Sequence, residues 1–127
     1  MAQKILRHIF KFHGLAESFG FAAKGIIYLF FFHRNMRLIF LCGIAAFLMG
    51  LLFKLKGVEL IALCIAITLV FMAEMFNTAI EMLMNMLTHR YQLRIKVIKD
   101  IAAGVVLIAS LNALAIGYAL FSKRIFR

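Results

Sequence analysis

Residues 60–87 read LIALCIAITLVFMAEMFNTAIEMLMNML, a run apolar enough and long enough to cross a bilayer. Yet two of the chain's five acidic residues, Glu74 and Glu81, stand inside it, together with Asn77 and Asn85. At about 100° per residue in an α-helix, Asn77 is offset from Glu74 by roughly 60°, Glu81 by roughly 20°, and Asn85 by roughly 20° to the other side. All four polar groups therefore share one narrow stripe. An ionisable side chain in hydrocarbon costs several kcal/mol, so it normally faces protein, a cavity or a ligand. The stripe reads as a site.

The rest of the composition agrees with a membrane setting. Of 127 residues, 65% are hydrophobic, mean hydropathy is +1.01, and Pro and Trp are absent. A soluble domain of this length is nearer half apolar. At about 20 residues per span, the chain has room for three crossings and a short amphipathic segment. No small-residue cleavage site follows a short apolar core, so no signal peptide is expected. Cys42 and Cys64 fall within the expected spans, where they read as small packing residues rather than a disulfide.

Residues 38–55 give a first span, with Lys54, Lys56 and Gly57 marking a tight turn. Residues 58–87 give a second, longer one, and residues 101–121 a third, closed by Lys123, Arg124 and Arg127. HRYQLRIKVIKD, residues 89–100, is a polar connection that turns helical toward its end. The first 37 residues mix aromatic side chains with spaced charges and read as an interfacial amphipathic helix, whose IIYLFFF run is too short to cross unaided. The expected architecture is a single all-α membrane domain over 1–127, with three transmembrane helices after a surface helix.

The net charge of +10 collects at the ends of apolar segments, which favours anionic lipid headgroups over nucleic acid as partner. Lys and Arg flanking the spans set orientation. The N-terminal region carries Lys4, Arg7, Lys11, Lys24, Arg34 and Arg37, and the second loop Arg90, Arg94, Lys96 and Lys99, against five on the opposite side. The N-terminus and the 89–100 loop are therefore expected in the cytoplasm, and the acidic stripe climbs toward that basic loop.

A carboxylate pair beside a basic, cytoplasm-facing loop suits a metal–nucleotide substrate. Mg²⁺ takes one or two carboxylates plus phosphate oxygens, and phosphoryl transfer needs positioning, a divalent ion, cations on the phosphates and a base at the attacking hydroxyl. Glu81 could hold the metal, Glu74 could accept a proton from a lipid hydroxyl, and Lys99, beside Asp100, could meet phosphates. No GxxxxGK[ST] occurs, so this is not a P-loop. Blander readings stand beside this one. Asn77 and Asn112 could join helices through their amides, Gly104, Ala109 and Ala113 could allow close helix approach, and His8, His13 and His89 could be interfacial or solvated. An acidic stripe could also line an ion path, although the first and third spans carry no ionisable residue to continue a relay. A third class is a small scaffold without chemistry.

AEMFNTAIE at 73–81 followed by KDIAAGVVL at 99–107 resembles the signature of the small prokaryotic diacylglycerol kinase family, which includes the undecaprenol kinases; FAAKG at 21–25 and RNMR at 34–37 match further segments in order. The resemblance covers essentially the whole chain. It implies a homotrimer of three-span subunits in the bacterial inner membrane. It further implies transfer of the γ-phosphoryl group of MgATP, or of its Mn²⁺ complex, to a lipid hydroxyl such as that of diacylglycerol. By the same resemblance Glu74 is the base, Asn77 its neighbour, and Glu81 a metal ligand. Lys99, Asp100, Phe21 and Lys24 are then nucleotide contacts.

The departures concentrate on nucleotide and metal. His33 stands where the family usually has a second metal-ligating Glu, and imidazole is a poor ligand for Mg²⁺. Asn85 replaces a usual Asp, Phe21 a tyrosine that stacks near the nucleotide, and Gly14 an upstream Arg, while RYQ at 90–92 lacks an acidic–histidine pair. The resemblance therefore leaves two expectations open: a lipid kinase with altered metal or nucleotide handling, or a diverged paralogue with other or lost activity.

Overall fold

The computed structural model describes residues 1–87 and 92–126, the side chains of 8–13 excepted. The expectations for His8, His13 and His89, and for the Arg90–Tyr91 part of the loop, lie outside the described residues. Among the described residues, four helices follow in order: α1 (Ala2–Phe32), α2 (Arg34–Leu52), α3 (Val58–Leu87) and α4 (Leu93–Ile125). No strand occurs among the described residues. The helices fall into two units, Met1–Arg34 and Asn35–Arg127.

The first unit carries one continuous helix, longer than the amphipathic segment that the sequence suggests. The IIYLFFF run joins upstream apolar residues, and Gly14–Phe32 becomes long and apolar enough to cross a membrane. By length and composition it is the fourth such segment among the described residues and the least apolar of them. The helix stops at a single residue: His33 has φ −123° and ψ 112°, and its N–H still reaches Leu29 O at 2.9 Å. RNMR then opens α2, so the helix that carries the expected first span begins at Arg34 and ends at Leu52, a few residues ahead of the expected 38–55.

The second unit is built on α3, whose bounds coincide with the expected 58–87. The turn before it is a Schellman closure. Leu55 N–H bonds Gly50 O at 2.9 Å, Lys54 N–H bonds Leu51 O at 3.1 Å, and Lys54 holds the left-handed φ of 60° that such a closure requires. Gly57, at φ 62°, starts α3 by accepting from Ile61 N–H at 3.1 Å. A Cβ on Gly50 would lie 2.7 Å from Leu63 Cδ2 and 3.2 Å from Leu55 Cδ1, so glycine there lets both buried leucines close on α2. Gly43 plays the same part against Ile67 Cγ2, at 2.9 Å. These, rather than Gly104, are the close approaches within the chain; a Cβ on Gly104 meets nothing within 4 Å.

Helices α3 and α4 form the main packed pair of this unit. Helix α4 starts at Leu93, eight residues ahead of the expected 101, because the connection's polar face winds into the same helix as the span. At one end of the pair, Arg124 Nη2 meets Glu59 Oε2 at 2.7 Å, with Phe53 and Phe121 edge to face at 5.6 Å beside it. Glu59 lies in the first turn of α3 and Arg124 in the last turn of α4, so each charge also complements its own helix dipole. Small buried residues, Ala66, Ala73 and Ala102, keep the backbones near. Large apolar side chains of all three helices, among them Leu52, Ile65, Met72, Leu107, Leu114 and Tyr118, face outward. Such a surface is untenable in water and ordinary in hydrocarbon.

Candidate active site

The α3 stripe is not uniform once it is folded. Glu74 is 7% exposed and Thr78, one turn on, 5%. Asn77 is half-buried, whereas Glu81 and Asn85 are exposed. A carboxylate is thus enclosed in the helix while a second opens outward about two turns nearer the helix end. The sequence alone assigns Thr78 no role, although the E-x-x-N-T spacing places it one turn from Glu74, on the same side.

Asn77 carries a further signal. Its Oδ1 is shut away from solvent and finds no hydrogen-bond donor among the described residues. A buried acceptor left unmade costs about 1–3 kcal/mol, and such atoms call for a specific explanation. Among the described residues that oxygen joins no neighbouring helix, and Asn112 is exposed on α4.

The basic end of α4 reaches the stripe through Lys99, whose Nζ donates to Asn85 Oδ1 at 2.9 Å. Its neighbour Asp100 turns elsewhere, accepting from Lys96 Nζ at 2.7 Å within α4. Lys99 is therefore docked on α3, while Asp100 is engaged on its own helix. Among the described residues, no three His, Cys, Asp or Glu side chains gather into a metal cage.

The other expected contacts belong to the first unit. Lys24 Nζ stands 5.8 Å from the centroid of the Phe21 ring, a cation–π distance. Phe21 itself is largely exposed. His33 caps α1 with its ring 6.2 Å from that of Tyr28, which in turn lies 4.7 Å from Phe32. Since Glu81 belongs to the second unit, a His33–Glu81 pairing stays an expectation of the resemblance.

Comparison with known proteins bears on what this arrangement does. A family model described as prokaryotic diacylglycerol kinase matches residues 20–121. A diacylglycerol kinase of Synechocystis sp. is 33% identical over 104 residues, which make up 81% of this chain and 59% of that protein. The chain thus spans less than two thirds of the length of that relative.

Proposed function

Because the chain belongs to the prokaryotic diacylglycerol kinase family, we propose that it is a membrane lipid kinase. In this reading it moves the γ-phosphoryl group of MgATP to the hydroxyl of a lipid such as diacylglycerol, at the cytoplasmic face of a bacterial inner membrane. Helices α2, α3 and α4 span the bilayer, α1 lies along its surface, and three copies assemble. The observation that carries the proposal is the graded stripe of α3: an enclosed Glu74, an exposed Glu81, and Lys99 held at Asn85 where the helix ends.

The Glu74 carboxylate takes the proton of the lipid hydroxyl as its oxygen attacks the γ-phosphorus. The bond from that phosphorus to the β–γ bridging oxygen breaks, and ADP leaves with the electron pair. Enclosure suits a base that meets a lipid from the bilayer side and must exclude water as a competing acceptor. The orphaned Asn77 Oδ1 is available to accept from the same lipid or from the nucleotide sugar. Lys99 places a positive charge against the phosphates.

Glu81 would hold the divalent ion. One outward carboxylate without a protein cage fits an ion that arrives already bound to phosphate oxygens. When bound, that ion neutralises charge developing on the phosphates.

The test is transfer of label from γ-labelled ATP to a panel that includes diacylglycerol and undecaprenol, first in Mg²⁺ and then in Mn²⁺. Labelled phospholipid is expected in at least one metal. No transfer to any lipid in either metal rejects the proposal, and the lipid that accepts decides between the two acceptor classes.

A further inference from the structure

Helix α4 carries two lysines close together near its start, and the structure treats them differently. Lys96 is neutralised: its Nζ lies 2.7 Å from a carboxylate oxygen of Asp100. Lys99 is also held, at 2.9 Å, but by the side-chain carbonyl of Asn85. No carboxylate among the described residues pairs with it. An amide oxygen orients an ammonium group without cancelling its charge, whereas a carboxylate does both.

We propose that Asn85 is the positioning residue for Lys99: it holds the ammonium group against α3 and leaves its full charge for the phosphates of the nucleotide. Rotamer freedom gives the reason. A free lysine side chain loses conformational entropy when a ligand fixes it. A lysine already docked on α3 has lost part of that before the ligand arrives, so the nucleotide binds more tightly. The inference rests on the reading of Lys99 as a phosphate contact.

The role of Asn85 is also distinct from that of a structural link. The bond lies at an exposed helix end, where water can replace either partner and its net contribution to stability is small. Its removal should therefore leave the fold intact and show in nucleotide affinity. Replacement by Asp should also weaken nucleotide binding, because the new carboxylate pairs with Lys99 and competes with the phosphates. A role for position 85 in holding metal has the opposite sign, since an added carboxylate four residues from Glu81 would tighten the metal complex.

The experiment measures the Kd of a non-hydrolysable MgATP analogue by calorimetry, and the KM for MgATP, on the full chain in lipid vesicles. Four variants are compared with the parent: Asn85→Ala, Asn85→Asp, Lys99→Met and Asn85→Ala/Lys99→Met. The expected result is a several-fold rise in Kd and KM for Asn85→Ala with kcat changed less than two-fold, and no further rise when Lys99 is already Met. Asn85→Asp is expected to raise Kd as well. Equal effects of Asn85→Ala in both backgrounds overturn the inference, as does a Kd that falls in Asn85→Asp. If Lys99→Met itself leaves Kd unchanged, the phosphate-contact reading fails first, and the inference with it.

Discussion

Arg124 and Glu59 stand sixty-five residues apart in sequence, and their side chains meet at 2.7 Å where the first turn of α3 crosses the last turn of α4. The guanidinium also reaches Leu120 O at 3.4 Å. With Asn85–Lys99 at the other end, the hairpin is fastened near both of its limits. Partial burial lifts such a pair above an ordinary surface bridge. Arg124→Met and Glu59→Gln should each lower the stability of the α3–α4 pair by about 1 kcal/mol. The double variant should cost little more than either single one. Thermal unfolding in detergent reads this; strictly additive losses would show that the two groups do not act on each other.

The turn between α2 and α3 makes an unusual demand on a lysine. Lys54 takes φ 60°, a region that costs an ordinary residue about 1–2 kcal/mol and that glycine enters freely. Glycine also widens the unfolded ensemble, which offsets part of the gain. Lys54→Gly is therefore expected to raise stability by about 0.5–1 kcal/mol, and Lys54→Ala to change it little. A melting temperature that drops in Lys54→Gly would remove the Schellman closure as the reason for this backbone.

Glycines in the second unit should separate into two kinds. Gly43 and Gly50 face side chains that a Cβ would strike at 2.9 and 2.7 Å. Valine at either position should cost about 1–3 kcal/mol through overpacking. Gly104 has nothing within 4 Å, so within the single chain Gly104→Ala should be neutral or stabilising by up to about 1 kcal/mol. Unfolding of the three variants side by side checks the contrast. A strong loss in Gly104→Ala together with a change in assembly size would place that face against another copy.

The two carboxylates of the stripe should fail in different ways. Glu74→Gln keeps the shape of the base and removes its proton affinity, so kcat should fall by at least about 10²-fold, with nucleotide affinity preserved. Glu81→Gln should instead move the Mg²⁺ concentration needed for half-maximal rate upward, with partial recovery at high metal. Initial rates over a metal titration distinguish the two. A Glu74→Gln variant that retains full activity removes Glu74 as the base.

Much of this was readable in the linear chain, for a local reason. The bounds of α3 follow from an apolar run closed by a Lys–Gly turn and a polar loop. The stripe follows from helical periodicity alone, and the charge count placed the basic segment beside it. The extent of α1 was less legible, since the IIYLFFF run looks short until the helix joins it to residues 14–25. The faces of Gly104 and Asn112 were not legible either: both meet no neighbouring helix among the described residues, because composition says which residues permit close approach but not which face meets a neighbour.

The sequence by itself determined a helical membrane protein with Glu74, Asn77, Glu81 and Asn85 on one face, because helical phase and hydropathy depend only on neighbours along the chain. Only the tertiary structure decided that Glu74 is enclosed while Glu81 opens outward. It also showed that Asn77 Oδ1 is left without a donor, and that Lys99 docks on Asn85 while Lys96 pairs with Asp100. Residues within roughly 20° on one helix share a phase, but exposure and partners depend on which other segment stands beside each turn. That is a property of packing between residues far apart in the chain, and no local pattern encodes it.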